Sequence, residues 1–257
     1  MNKFFTFLCL IALFGCKEKT MTISEGITFD QQTDISYGDD SEQRMDLYIP
    51  KNRDSVKTIF MIIHGGGWKA GRKSDITGFT FSLMKRFPQS AFANINYRLA
   101  TETRFGLPNQ TDDIQNAINY LVGIAPIKSK FVLLGNSAGA HLSMLYSYRL
   151  GEKEKIKAVV NIVGPSDLSD PNFKNYSDYS FVENHLVDPA TIPKGNSMGN
   201  FASPVNWVNK NSPPTISFYG NNDQVIPLSQ KGILDSVLNK NGILINLTNF
   251  RVDILIG

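Results

Sequence analysis

The 257-residue sequence predicts an α/β fold on a mostly parallel, doubly wound sheet, and two observations carry that expectation. Short continuous apolar runs of strand length alternate with longer segments of helical periodicity, which is the order that parallel crossover units impose. A composition that is 42% hydrophobic, with 17 Phe, 9 Tyr and 2 Trp, supplies enough apolar surface for one large core and disfavours a disordered chain.

The first segment stands apart from the rest. Lys3 gives a short basic start, Phe4 to Phe14 is apolar apart from Thr6 and Cys9, and Gly15-Cys16 follows. Residues 1–15 therefore read as a signal peptide, too short to span a bilayer as a stop-transfer helix. Leu13-Phe14-Gly15-Cys16 resembles a bacterial lipobox, which implies acylation at Cys16, a polar linker over 16–26 and tethering at the bacterial cell envelope, on the periplasmic face or the cell surface. An ordinary secretory signal cleaved nearby is the alternative reading.

The globular body is expected over 27–257. Gln43 to Ile49 alternates as a strand before Pro50, and Thr58 to Ile63 is a continuous apolar run suited to a strand buried on both faces. A helix is predicted over 75–87, a strand over 91–97, and a helix over 111–122 with apolar residues at 114, 117, 118, 121 and 122. Next come a buried strand over 131–134, a helix over 138–148 and a strand over 158–163. The stretch 164–211, rich in Pro, Asn, Ser and Asp, reads as an irregular, cap-like excursion. A strand over 215–219, a helix over 228–238 and a last strand over 243–247 complete the order.

Several function classes are disfavoured from the start. A formal charge of +3 without a Lys/Arg run gives no basic stripe for a phosphate backbone, so no nucleic-acid partner is expected. Two cysteines are too few for a disulfide scaffold, and the sequence shows no metal cluster, phosphate-binding glycine loop or cofactor motif.

Two motifs carry the chemistry. Gly135-Asn136-Ser137-Ala138-Gly139 matches G-x-S-x-G between a buried strand and a helix start; there the serine occupies a strained turn whose crowding the glycines relieve. His64-Gly65-Gly66-Gly67-Trp68 leaves the strand over 58–63, and small residues there let backbone N–H groups turn toward a site. The N–H groups of Gly65, Gly66 and Ala138 would form an oxyanion hole for Ser137, a tight turn being the other reading of the glycine run. Asp223 lies in a polar turn past the carboxyl end of a predicted strand, where α/β sheets place functional groups. Asp167, which opens the excursion, reads as a turn residue, and Arg98 as a buried structural partner for Asp112 or Asp113.

With these residues in place the chain resembles the serine esterases of the α/β-hydrolase superfamily that carry an H-G-G-G-W motif. It is close to the Bacteroidota feruloyl and acetyl esterase-like group and more distant from the hormone-sensitive-lipase group. Met45-Asp46-Leu47-Tyr48-Ile49-Pro50, Asn96-Tyr97-Arg98-Leu99, His141-Leu142, Ala202-Ser203-Pro204-Val205 and Pro213-Pro214-Thr215-Ile216 also carry the likeness, which covers residues 27 to 240. The resemblance implies an α/β-hydrolase fold, Asp223 as the acid of a triad, and small acyl or aryl esters as substrates, including acetyl or feruloyl groups on polysaccharide. An amidase or peptidase on the same fold, and a non-catalytic lipoprotein that binds a glycan or ester, are the competing functions. For the last of these, Trp68, Phe173, Tyr176, Tyr179 and Trp207 would stack on sugars, the alternative being core or cap packing.

The base is the gap in this constellation. The resemblance implies a histidine-bearing loop and a closing helix after the final strand, yet residues 248–257 contain no histidine, so the C-terminus is expected to be truncated or frame-altered relative to a functional relative. Of the three histidines, His64 belongs to the glycine turn and His141 reads as packed in the nucleophile helix; His185, in the excursion, is the remaining candidate.

Overall fold

The structure is a computed structural model and describes residues 19–124, 129–152 and 154–245. Cys9, Cys16 and the signal-peptide reading, like residues 246–257, lie outside the described residues.

In chain order the strands are β1 (Lys19–Ser24), β2 (Ile27–Ser36), β3 (Arg44–Pro50), β4 (Thr58–Ile63), β5 (Ala91–Ile95), β6 (Lys130–Asn136), β7 (Ile156–Ile162) and β8 (Thr215–Phe218). The helices are α1 (Thr77–Arg86), α2 (Asn109–Ile124), α3 (Ala138–Arg149), α4 (Tyr179–His185), α5 (Met198–Ala202) and α6 (Ser229–Lys240). They build one eight-stranded sheet of order β1-β2-β3-β5-β4-β6-β7-β8. The β1, β2, β3 and β5 pairings are antiparallel, and from β5 through β4, β6 and β7 to β8 every pairing is parallel.

Burial follows the pleat. On β4 every residue is buried, and its side chains divide between two clusters: Ile59, Met61 and Ile63 pack with α2 and α3, whereas Phe60 and Ile62 pack with Met84 of α1. α2 turns Ile114, Ala117, Ile118 and Leu121 inward at helical spacing. α3 is buried along nearly its whole length, between the sheet and the excursion. α6 closes a third cluster through Leu234 and Leu238 against Met144, Tyr148 and Val159.

Three expectations are revised. Lys19–Ser24, placed in the polar linker, pairs antiparallel with β2 because Met21 and Ile23 alternate inward beside Phe29. Of the predicted strand over 243–247, residues 246 and 247 lie outside the described residues, and 243–245 form only a bridge between Thr215 and Ile245, with Thr215 N–H donating to Leu244 O at 3.2 Å. The excursion is irregular but not structureless: it holds α4, α5 and several single helical turns. Gln230 of α6 clamps its start, accepting from the N–H of Ser166 and Asp167 at 2.6 and 2.8 Å and donating to Asp167 O at 2.9 Å.

Candidate active site

Ser137 sits where β6 turns into α3, at φ 50° and ψ −121°, a left-handed backbone that a non-glycine residue adopts only at a cost of order 1–3 kcal/mol. Its N–H donates to Ile162 O at the end of β7 (2.8 Å), and its carbonyl accepts from His141 N–H (3.0 Å), so strand and helix both hold the turn. Gly139 permits it: a Cβ there would lie 2.1 Å from Ile63 O and 2.4 Å from His64 O, the chain leaving β4. Trp68 and Val163 also have positive φ, so three of the four such non-glycine residues described follow the carboxyl ends of β4, β6 and β7. Stored strain concentrated at one sheet edge marks a functional edge.

The glycine run meets the serine through Asn136. Its side-chain Oδ1 accepts the Gly65 N–H at 2.9 Å, so that donor, expected to face an oxyanion, is already engaged. The N–H groups of Gly66, Gly67 and Ala138 have no acceptor among the described residues. Gly66 has φ 119°, and a Cβ on it would come 2.0 Å from Ala70 O, so only glycine fits. Sequence reasoning did not anticipate the Gly67 N–H left free among the described residues or the Asn136 hydrogen bond to Gly65; the third glycine of the run and the variable position of G-x-S-x-G were the available signals.

The expected acid lies after β8. Asp223 is half-buried, its Oδ1 accepts from the N–H of Val225 (2.8 Å) and Ile226 (2.9 Å), and its Oδ2 has no partner among the described residues. Asp167 is a turn residue, with Oδ1 accepting from Ser169 N–H at 2.8 Å and from its hydroxyl at 2.5 Å. Arg98 forks onto the fully buried Asp113 rather than Asp112.

The three histidines differ sharply. His64 is buried and stacked on Tyr97 with ring centroids 4.4 Å apart; its Nδ1–H donates to Gly65 O at 2.7 Å, leaving Nε2 buried without a partner among the described residues. Burial pushes its pKa below the ordinary value, against the opposing Gly65 carbonyl. His141 is fully buried with both ring nitrogens engaged, and burial pushes its pKa down to about 4. His185 is half-buried, its ring against Phe181, and its backbone carbonyl accepts from Gly106 N–H at 3.1 Å.

The excursion comes down on the glycine run. Lys69 pairs with Asp178 at 3.0 Å and lies 4.6 Å over the Phe181 ring, and the Tyr176 hydroxyl stands 3.2 Å from where a Cβ on Gly67 would be. Trp68 and Phe173 are buried in the core, with Tyr176, Tyr179 and Trp207 packed against it. Among the described residues no group of His, Cys, Asp or Glu is arranged to hold a metal ion, and no helix is long and apolar enough to cross a membrane.

The sheet order, the strained serine between β6 and α3, and the carboxylate after β8 define an α/β-hydrolase fold, shared with solved structures. A truncated form of a carbohydrate esterase from gut microbiota aligns with TM-score 0.67 and 23% identity over 84% of this chain and 85% of that one. Esterase B from Lactobacillus rhamnosis aligns with TM-score 0.68 and 20% identity, covering 85% of this chain and 73% of that one. The chain belongs to the BD-FAE family, whose model matches residues 45–238. Among curated relatives, Esterase LipC of Mycobacterium tuberculosis is 27% identical over 214 residues, which make up 76% of this chain and 52% of that protein. Isoprenylcysteine alpha-carbonyl methylesterase ICME of Arabidopsis thaliana is 25% identical over 232 residues, 81% and 52% respectively. The chain therefore spans about half the length of these curated relatives.

Proposed function

We propose that the protein is a carboxylesterase-type serine hydrolase with Ser137 as nucleophile. The carrying observation is the strained Ser137 backbone together with the N–H groups of Gly66, Gly67 and Ala138, which have no acceptor among the described residues. Ser137 Oγ attacks the ester carbonyl carbon, and the N–H groups hold the resulting oxyanion where charge develops. Collapse breaks the acyl C–O bond, the alcohol leaves with the proton from Oγ, and water then releases the acid. Asp223 Oδ2 is the atom that would orient an imidazole base, and His185 is the histidine of this sequence whose ring makes no hydrogen bond among the described residues.

Small acyl or aryl esters are the proposed substrates, with acetyl or feruloyl groups on polysaccharide as the finer reading. It draws on the family and on the names of an esterase relative and a carbohydrate esterase neighbour. A fluorophosphonate probe should label wild-type protein at Ser137, and p-nitrophenyl acetate hydrolysis should fall by orders of magnitude in Ser137→Ala. Absence of labelling together with hydrolysis no faster than that variant would sink the proposal.

One observation favours a second reading: His64 and His141 both use ring nitrogens inside the fold. A non-catalytic site that binds a glycan or ester would be marked by binding without turnover. Attachment through an acylated Cys16 is proposed alongside; metabolic palmitate labelling lost in Cys16→Ser would support it, and retained labelling would refute it.

A further inference from the structure

We infer that His141 is a positioning residue that fixes the glycine-run loop in register with Ser137. This rests on the reading of Ser137 as nucleophile. Trp68 ends the glycine run, and its indole Nε1–H donates to His141 Nδ1 at 3.1 Å, with the two rings edge to face at 5.1 Å and 89°. An indole N–H can only donate, so Nδ1 accepts and the proton resides on Nε2. That Nε2–H donates to Ala202 O at 2.8 Å, at the end of α5. One neutral, fully buried imidazole therefore joins three segments: the loop after β4, the helix carrying the serine, and the excursion.

The placement gives the joint its consequence. His141 lies one helical turn beyond Ser137, and its own N–H donates to Ser137 O at 3.0 Å. Trp68 itself has φ 63°, and its carbonyl is held by Ala100 N–H at 2.9 Å and Gln110 Nε2 at 2.8 Å. With the backbone pinned on one side and the indole on the other, Gly66 and Gly67 have little freedom to drift from the serine. Oxyanion donors must be held to a few tenths of an ångström, so loss of the joint should slow the chemical step more than it weakens binding.

Three variants test this: His141→Gln, which keeps one acceptor and one donor; His141→Leu, which removes both; and Trp68→Phe, which removes the indole donor together with part of the buried ring. Phosphonylation of Ser137 and p-nitrophenyl acetate kinetics should fall at least tenfold in kcat for His141→Leu and Trp68→Phe, with KM within about threefold, and His141→Gln should recover most of the rate. The indole N–H signal of Trp68, followed by NMR in a Trp207→Phe background, should exchange slowly in wild type and His141→Gln and quickly in His141→Leu. Wild-type rates in His141→Leu and Trp68→Phe, or equal losses in His141→Gln and His141→Leu, would overturn the inference. If His141→Leu does not fold by circular dichroism, Trp68→Phe against His141→Gln decides. Unlabelled wild-type protein would refute the nucleophile reading instead, and the indole signal would then decide whether the joint exists.

Discussion

At the scale of single residues, the site depends on positions where a carbon atom more or less decides the backbone. Gly139 is the sharpest: an added Cβ would meet two consecutive carbonyl oxygens, of Ile63 and His64, and backbone cannot rotate aside as a side chain can. Gly139→Ala should therefore cost about 1–3 kcal/mol or more from overpacking and should displace Ser137, read as a lower thermal midpoint with slowed phosphonate labelling. Wild-type labelling and midpoint in that variant would disprove the close approach. Residue types and spacing announced Ser137 and the glycine run correctly as neighbours of strand ends. They did not reveal that Gly65 N–H is taken by Asn136, because a side-chain amide 71 residues away in sequence leaves no local signature.

At the scale of elements, the ion pair after β5 ties three pieces together. Asp113 of α2 accepts from Arg98 Nε at 2.9 Å, Arg98 Nη2 at 2.6 Å, the Arg98 backbone N–H at 2.7 Å and Gln43 Nε2 at 2.6 Å, and it is fully buried. Asp113→Ala removes the acceptor of Gln43 Nε2 and of the Arg98 backbone N–H and Nε, with Nη2 left on Asn109 O, and removal of one buried partner costs about 3–5 kcal/mol. Urea unfolding at pH 7 should show that loss; a change below about 1 kcal/mol would mean the pair is dispensable. The strands over 58–63 and 131–134 and the helix over 138–148 were legible because continuous apolar runs and small-residue helix starts are local patterns. β1 was not, since polar residues alternate with Met21 and Ile23 and only pairing with β2 gives that alternation a face to bury.

At the scale of the whole molecule, buried neutral histidines make stability depend on pH. His141 has its pKa pushed down to about 4 by burial, against an ordinary value near 6.5, and burial lowers His64 as well. The folded pKa is the lower one, so the unfolded chain takes up the proton first. The contribution is complete above about pH 6.5 and is lost as pH falls toward about 4, by about 3 kcal/mol for His141. Asp30, held low by its hydrogen bond to Lys51, begins to act only below about pH 5 and so adds nothing to the slope above that. Denaturant midpoints measured from pH 7.5 to 5 should decline in wild type and decline less steeply in His141→Gln, which keeps His64; a flat wild-type profile would exclude the effect.

The sequence by itself determined the α/β order, the positions of the buried strands, the serine turn and the glycine run, since each follows from periodicity or from the small residues a tight turn requires. Only the tertiary structure decided which N–H groups of the glycine run and serine turn lack an acceptor among the described residues, and that Lys19–Ser24 joins the sheet. It also decided that a single imidazole couples loop, helix and excursion. These depend on contacts between residues far apart in the chain, where burial and hydrogen-bond partners are set by packing and not by neighbours in sequence.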